Sequence, residues 1–370
     1  RFWNASICKG IIVFLLDKYI RNTVQASMLI VISILTTLDV IFSMLDQMAD
    51  TDEYFSIQNA VTFVLLTTPT TVYEMLPFAA LGGALIGLGI ISSNNELMVM
   101  RSAGISVYRI VFSILKPTFL IMLLSLFLGE FISPPLEQYA QSNKAIQKSG
   151  VSAISPEQGV WQKIDREFIH INAIAAGGLE LYGVSRYVID ENREVTLTSF
   201  SESASYVELD DGSYWELQNV QESIFGGSEI TSQEYLSQNW LVSLSPELLG
   251  ILLVDPDEHS ISGLYSFAGY FEDQGLDGDV YLMAFWKKLL QPLSTLFLVI
   301  LASSVVFGHL RQVSVGSRVV YSIGIALIFT ISQRMLEPAS LLYGFSPLLA
   351  VMTPIIICGA LGIYILKLVR

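Results

Sequence analysis

Leu76-Pro77-Phe78-Ala79-Ala80-Leu81-Gly82-Gly83-Ala84-Leu85-Ile86-Gly87-Leu88-Gly89 is apolar throughout, yet it is rich in glycine. In a helix surrounded by water each glycine would cost about 1 kcal/mol relative to alanine. Between helices in lipid, small residues instead let two backbones come close, so Gly83 and Gly87 read as a small-xxx-small packing face. That face serves either packing within the chain or a second subunit. The stretch sits inside a longer apolar segment, 58–91, which also holds Pro69 and Pro77. At about 1.5 Å per residue it exceeds a hydrocarbon core of about 30 Å. A tilt or kink, with one end clear of the membrane, is expected.

Further apolar segments lie at 23–45 and 105–132 on one side of a polar interior and at 281–307, 317–336 and 347–367 on the other. This predicts six transmembrane helices, three and three. The composition agrees: 52% of the 370 residues are hydrophobic and only 15% charged, too apolar for an ordinary soluble chain. The net charge of -14 is concentrated in one block. Between Ile132 and Gly275 there are 22 acids and 6 bases, against 12 acids and 14 bases elsewhere.

Short cytoplasmic loops collect Lys and Arg. Lys18 and Arg21, Arg101 and Arg109, Arg311 and Arg318, and Lys367 and Arg370 mark four inside segments. The opposite loops carry Asp46, Asp50, Asp52 and Glu53, the acidic block, and Glu337. Both termini are expected in the cytoplasm and the acidic block outside. No function is assigned to the first dozen residues, and no cleaved signal peptide is expected.

Within the block, short runs rich in Val, Ile, Tyr, Phe and Trp predict strands at 159–164, 167–175, 179–189, 194–207, 213–225 and 230–244. Turn signals separate them at Asp165, Gly177-Gly178, Asp190-Glu191-Asn192, Asp210-Asp211-Gly212 and Gly226-Gly227. A sandwich, roll or partly open barrel follows. Ile169, Ile171 and Ala173 alternate imperfectly with Phe168, His170 and Asn172, which fits either an apolar groove or an ordinary sandwich core. Ser260 or Ser262 is placed to cap a short connector helix leading to the fourth span.

Several chemistries have no sequence basis. No Lys follows a Gly, so a phosphate-binding Walker loop is excluded and ATP-driven work needs a separate ATPase. His170, His259 and His309 are scattered, Cys8 and Cys358 lie at opposite ends, and no metal or nucleophile motif occurs. No catalytic residue, metal ligand or cofactor is assigned to the chain. A nucleic-acid partner is excluded by the acidity of the outward block.

Two constellations remain. Residues 92–104 read as a short cytoplasmic helix, capped by Ser93 or Asn94 and stopped by Gly104. Leu97, Val99 and Met100 give it an apolar side, and Glu96 and Arg101 give it charges for a partner. On the outward side stand exceptions to the charge rule: Lys144, Lys148, Lys287, Lys288 and Arg334. They either snorkel to headgroups and pair with Glu337, or ring the mouth of a cavity for an anionic lipid.

Leu16-Asp17-Lys18-Tyr19-Ile20, the Leu76 to Gly89 stretch, Glu96 to Gly104, Asp255-Pro256-Asp257 with Ser260 to Leu264, and Trp286-Lys287-Lys288 with Gln291-Pro292-Leu293 resemble the LptF/LptG permease family, on its LptG side. The likeness runs from about Leu16 to the end. It implies a permease of an ATP-driven lipopolysaccharide exporter in the inner membrane of Gram-negative bacteria, and domains at 1–135, 136–258 and 259–370, the middle one a periplasmic β-jellyroll. It implies partners: the LptB ATPase dimer, which binds ATP and Mg, and LptF, LptC and LptA. Glu96, Leu97, Met100 and Arg101 would couple to the ATPase. Lys144 and Lys288 match basic positions of the pattern and, with Lys287 and Arg334 from the charge rule, are the bases expected to meet lipopolysaccharide phosphates, while Ile169 and Ile171 would meet its acyl chains. Ser43 departs from the family pattern, which is basic there, and Arg334 is a candidate replacement for that charge. A mechanotransmission or scaffold subunit that binds no lipid is the alternative.

Overall fold

The computed structural model describes residues 2–51, 55–149, 159–190, 194–209, 212–226, 229–242, 244–252, 254–273, 278–307 and 314–368. The expected turn residues Glu191, Asn192, Asp210, Asp211 and Gly227, and Arg311, His309 and Arg370, lie outside the described residues. Among the described residues six helices are long and apolar enough to cross a bilayer, within α1 (Phe2–Ala49), α2 (Ile57–Ser93), α4 to α5 (Val107–Phe127 through Ser133–Ser149), α8 (Asp279–Phe307), α9 (Val315–Tyr343) and α10 (Pro347–Leu368). The short α3 (Glu96–Ser102) follows α2, and α6 (Pro246–Leu252) and α7 (Ile261–Asp273) precede α8. Inserted between helices is an all-β region of six strands, as expected.

The chain forms two compact units. One comprises Arg1–Ile41, Thr68–Ser133 and Ser260–Arg370, the other Phe42–Thr67 and Pro134–His259.

In the helical unit α2 is buried along most of its apolar length, whereas α1 and α9 are buried along little of theirs. The glycines explain the position of α2. A Cβ on Gly83 would lie 2.5 Å from Met28 Cα, and one on Gly87 2.9 Å from Val24 Cα. The small-residue face is thus spent on α1 of the same chain. Gly89 in turn leaves room for the buried Arg318 side chain. Both Pro69 and Pro77 stay inside one continuous α2.

The third span continues as helix to Ser149, well past the expected end at 132, through a π-helical turn at Leu128–Ile132. Pro134 and Pro135 account for that turn. A proline ring clashes with the carbonyl four residues back, here Glu130 and Phe131. Widening the turn that holds both carbonyls relieves the clash without ending the helix.

In the second unit the strands β1 (Val160–Ile164), β2 (Glu167–Ile174), β3 (Glu180–Ile189), β4 (Val195–Leu209), β5 (Gly212–Gly226) and β6 (Glu229–Trp240) form one antiparallel sheet in sequence order. Expected turn residues take the conformations that turns require: Asp165, Gly177 and Gly178 all have positive φ. Gly178 is also spatially constrained, since a Cβ there would lie 2.1 Å from the Pro246 carbonyl oxygen. One buried cluster gathers Ile169, Ile171, Leu181, Val184, Trp215, Leu217 and Trp240. The segment after β6 adds Leu244 and Leu249, with Trp215 Nε1 donating to the Leu244 carbonyl at 2.9 Å. Here water drives assembly, at about 1.5–3 kcal/mol per large side chain buried.

Gly87→Leu places a branched side chain against the α1 backbone and is expected to cost about 1–3 kcal/mol or more through overpacking. Thermal unfolding of the detergent-solubilised protein checks this. A parent-like transition would show that α1 and α2 do not depend on the close approach.

Candidate functional site

The turn between α2 and α3 places Asn95 at the cap position with a left-handed φ of 60° and no side-chain cap. Asparagine tolerates that backbone better than most residues. The capping role expected of Ser93 or Asn94 is therefore corrected: Ser93 Oγ donates back to the Ile90 carbonyl, and Asn94 Nδ2 donates to Glu96 Oε1 at 3.4 Å. At the other end the stop at Gly104 is complete. Gly104 has φ +83°, its N–H donates to Arg101 O, and the Ile105 N–H donates to Met100 O. This paired pattern satisfies the last helix carbonyls.

Residues three apart share a helix face, so Leu97 and Met100 both turn into the helical core. Val99, expected on the same side, is instead 65% exposed beside exposed Met98 and Arg101. Glu96 is half-buried and receives the Tyr19 hydroxyl. A groove of about 370 Å³ runs alongside, lined by Ser92, Leu97, Met98, Arg101, Ser102, Val306 and Phe307. α3 is fixed by one side and presents the other. Nearby in the same unit Asp17 accepts from Ser113 Oγ at 2.8 Å and faces Lys116 at 3.6 Å and Arg109 at 4.0 Å. The sequence signal of this cluster is a carboxylate in the first apolar turns of a span.

Lys144 and Lys148 lie on α5 in the second unit. Both ammonium groups sit 2.8 Å from Asp50 Oδ2, and Lys144 Nζ also donates to Gln47 Oε1 at 2.7 Å. Phe55 and Phe63 present their rings to Lys144 at 5.6 and 5.0 Å, a cation–π arrangement. The adjoining cavity, bordered by Asn59, Thr62, Asn143 and Gln147, measures about 40 Å³. That holds a water molecule, not a headgroup. Gln47, Asp50 and the two phenylalanines were not picked out from sequence, because partners roughly 90 residues apart leave no local pattern.

The remaining bases belong to the helical unit. Lys288 is buried, with its Nζ 5.3 Å from the centre of the Tyr73 ring, and Gln291 Nε2 one turn on donates to the Tyr73 carbonyl at 3.2 Å. Lys287 pairs with Glu337 at 3.3 Å. Arg334 is exposed on α9. Ile169 and Ile171 have no exposed surface and form part of the closed β core. His259 Nε2 lies 3.1 Å from the Ile251 carbonyl, and the His170 ring packs at a tilt against Trp161, with centroids 4.6 Å apart. Among the described residues no three His, Cys, Asp or Glu are grouped to hold a metal ion.

Six helices long and apolar enough to cross a bilayer, a short two-sided helix between the second and third of them, and an inserted sheet are the architecture of a multi-span membrane protein. The family described as lipopolysaccharide export system permease LptF/LptG matches residues 18–368. The lipopolysaccharide export system permease protein LptG of Escherichia coli (strain K12) is 32% identical over 341 residues, spanning 92% of this chain and 94% of that protein. The protein of the same name from Haemophilus influenzae is 31% identical over 340 residues, with the same coverage. The chain belongs to the LptF/LptG permease family of the lipopolysaccharide export system.

The hydrogen bonds from Lys144 and Lys148 hold the Asp50 carboxyl below its ordinary range. A depressed carboxylate contributes stability that is fully present above its unfolded value, about 3.9, and lost as pH falls through the lowered folded value. Asp50 is 44% exposed, so solvent screening limits the contribution to about 1 kcal/mol or less. Asp50→Asn is expected to melt slightly below the parent at pH 7, and the gap should close in strong acid and in high salt. A gap unchanged at pH 2 would sink the pairing.

Proposed function

We propose that the chain is the LptG-type permease of an ATP-driven exporter that lifts lipopolysaccharide from the outer leaflet of the inner membrane and passes it to a periplasmic bridge. The observation that carries this reading is the mounting of α3. Leu97 and Met100 anchor it to the permease core, while Glu96, Met98, Val99 and Arg101 border the adjoining groove or face outward. A helix held in that way transmits motion only if a partner grips its free side, and the partner is the LptB ATPase dimer with its ATP and Mg. The chain supplies no ATPase site of its own.

The charge distribution favours the α3 loop and both termini inside and the β domain in the periplasm. α1 and α9 expose apolar length that suits LptF and membrane lipid. β6 is a sheet edge with Leu236 87% and Ile230 69% exposed. Such an edge invites strand addition, which supports a hand-off to LptC or LptA. Arg334 is exposed and open to lipid phosphates, whereas Lys144, Lys287 and Lys288 reach them only by exchanging Asp50, Glu337 and Tyr73 for the lipid, a replacement that charge-assisted contacts in a partly dry site favour. Acyl chains reach Ile169 and Ile171 only when the β core opens.

Glu96→Lys reverses the charge on the half-buried rim of α3 and is expected to lower ATPase co-purification and coupled hydrolysis. Normal export by this variant would overturn the coupling role. Neutralising Lys144, Lys288 and Arg334 together should abolish lipopolysaccharide crosslinking at constant ATPase assembly. Undiminished loading would leave these bases as membrane anchors and favour the scaffold reading. A photocrosslinker at Ile171 should capture lipid only during ATP turnover, since the resting core is closed; capture without ATP would contradict that order.

A further inference from the structure

The chain leaves the helical unit after Ser133 and re-enters it at Ser260. Glu130 stands just before the exit, and its carboxylate holds the first turn after re-entry. Oε2 accepts the Ile261 N–H at 2.7 Å and Oε1 accepts the Ser262 hydroxyl at 2.5 Å. These partners are 131 and 132 residues away in sequence. Ser260 Oγ accepts the Gly263 N–H at 3.1 Å, so the start of α7 is held by two side chains, one local and one distant. An anion at a helix N-terminus is electrostatically favoured, and hydrogen bonds to a carboxylate are stronger than neutral ones.

The aim of the carboxylate is itself built in. Glu130 lies in the π-turn, which adds a residue to the helix and re-aims what it carries. Gly129 beside it is pressed by the Tyr73 ring, 2.6 Å from where a Cβ would be. The Tyr73 carbonyl is in turn held by Gln291. A similar contact closes the chain's other excursion from this unit, which runs from Ile41 to Thr68. There Thr71 Oγ1 donates to Asp39 Oδ2 at 3.0 Å.

We propose that Glu130 is a positioning residue for transport, a clasp that keeps the exit and re-entry points of the β insertion together while lipid is passed on. The proposal rests on the export role given above. Without the clasp, movement of the third span would draw on only one of the two strands of chain leading to the β insertion, and motion would be lost between ATP hydrolysis and lipid release.

The test uses the assembled transporter in nanodiscs, with Cys8 and Cys358 replaced by serine and spin labels on Leu124→Cys and Gly269→Cys. Leu124 is exposed, and a side chain at Gly269 meets nothing within 4 Å. The parent should give one narrow distance, Glu130→Ala a broad distribution, and Glu130→Gln, which keeps an acceptor oxygen, a narrow one again. In the same samples, lipopolysaccharide released per ATP hydrolysed should fall roughly tenfold or more for Glu130→Ala and recover for Glu130→Gln, with assembly and ATPase rate unchanged. A parent that hydrolyses ATP but releases no lipid would count against the export role itself. An exporting parent matched in release and distance by Glu130→Ala overturns the clasp alone. If Glu130→Ala fails to assemble, Ser262→Ala is read in the same assays: a partial loss supports the clasp, and parent-like behaviour overturns it.

Discussion

In a bilayer, apolar surface gains nothing by moving from lipid to protein, so helices must associate by fitting closely. The contact between α1 and α2 answers that requirement most directly: Gly83 and Gly87 leave no space for even a methyl group between the two backbones. Much follows from it. α2 becomes the inner helix of its unit, its last turns carry the room at Gly89 that Arg318 occupies, and α3 emerges from its end already fixed in direction. Gly359 and Gly362 do the same work for α10 against Phe297 and Leu301 of α8. The β sheet is held by a different force. Its core of Trp215, Trp240 and aliphatic residues would be stable in water, where removing apolar surface from solvent is the main drive.

That difference explains what could be read from the sequence. Strand ends fell within a few residues of the expected positions because turns are punctuated by residues with special backbone freedom, such as Asp165, Gly177 and Gly178. The stop at Gly104 was legible for the same reason. Span positions were legible because length and apolarity are local properties. β6, by contrast, was read through to Leu244, although the strand ends at Trp240 and α6 follows. Pro246 at the first position of α6 was the available signal.

The site was less legible, because its geometry depends on pairs distant in sequence. Val99 could be assigned to the wrong side of α3 because a seven-residue helix is too short for periodicity to fix its faces. Lys144 could be recognised as an exception to the charge rule, but its engagement with Asp50, Gln47, Phe55 and Phe63 required the fold. Ile169 and Ile171 were legible as apolar strand residues, and only their complete burial distinguishes a closed core from an open groove. Lys288, read from sequence as a base near a span end, is buried against Tyr73.

The chain passes between its two compact units after residues 41, 67, 133 and 259. The first three passages lie within long helices, and two of them coincide with interruptions of the helical hydrogen-bond ladder. Pro69 lies just beyond the second passage, and the π-turn with Pro134 and Pro135 brackets the third. Proline removes a donor and crowds the preceding turn, so bending costs least at these points. The fourth passage has no long helix at all, only the short turn Pro256–Glu258 before α7. Prolines also lie inside helices away from the boundaries, at Pro77, Pro117, Pro292, Pro338 and Pro354, so the boundary prolines are two of several places where bending costs little. A helix that bends at its proline and is clamped at its glycines concentrates displacement at the bend. On that physical ground bending of these spans costs least at their prolines and most where glycines hold two backbones together.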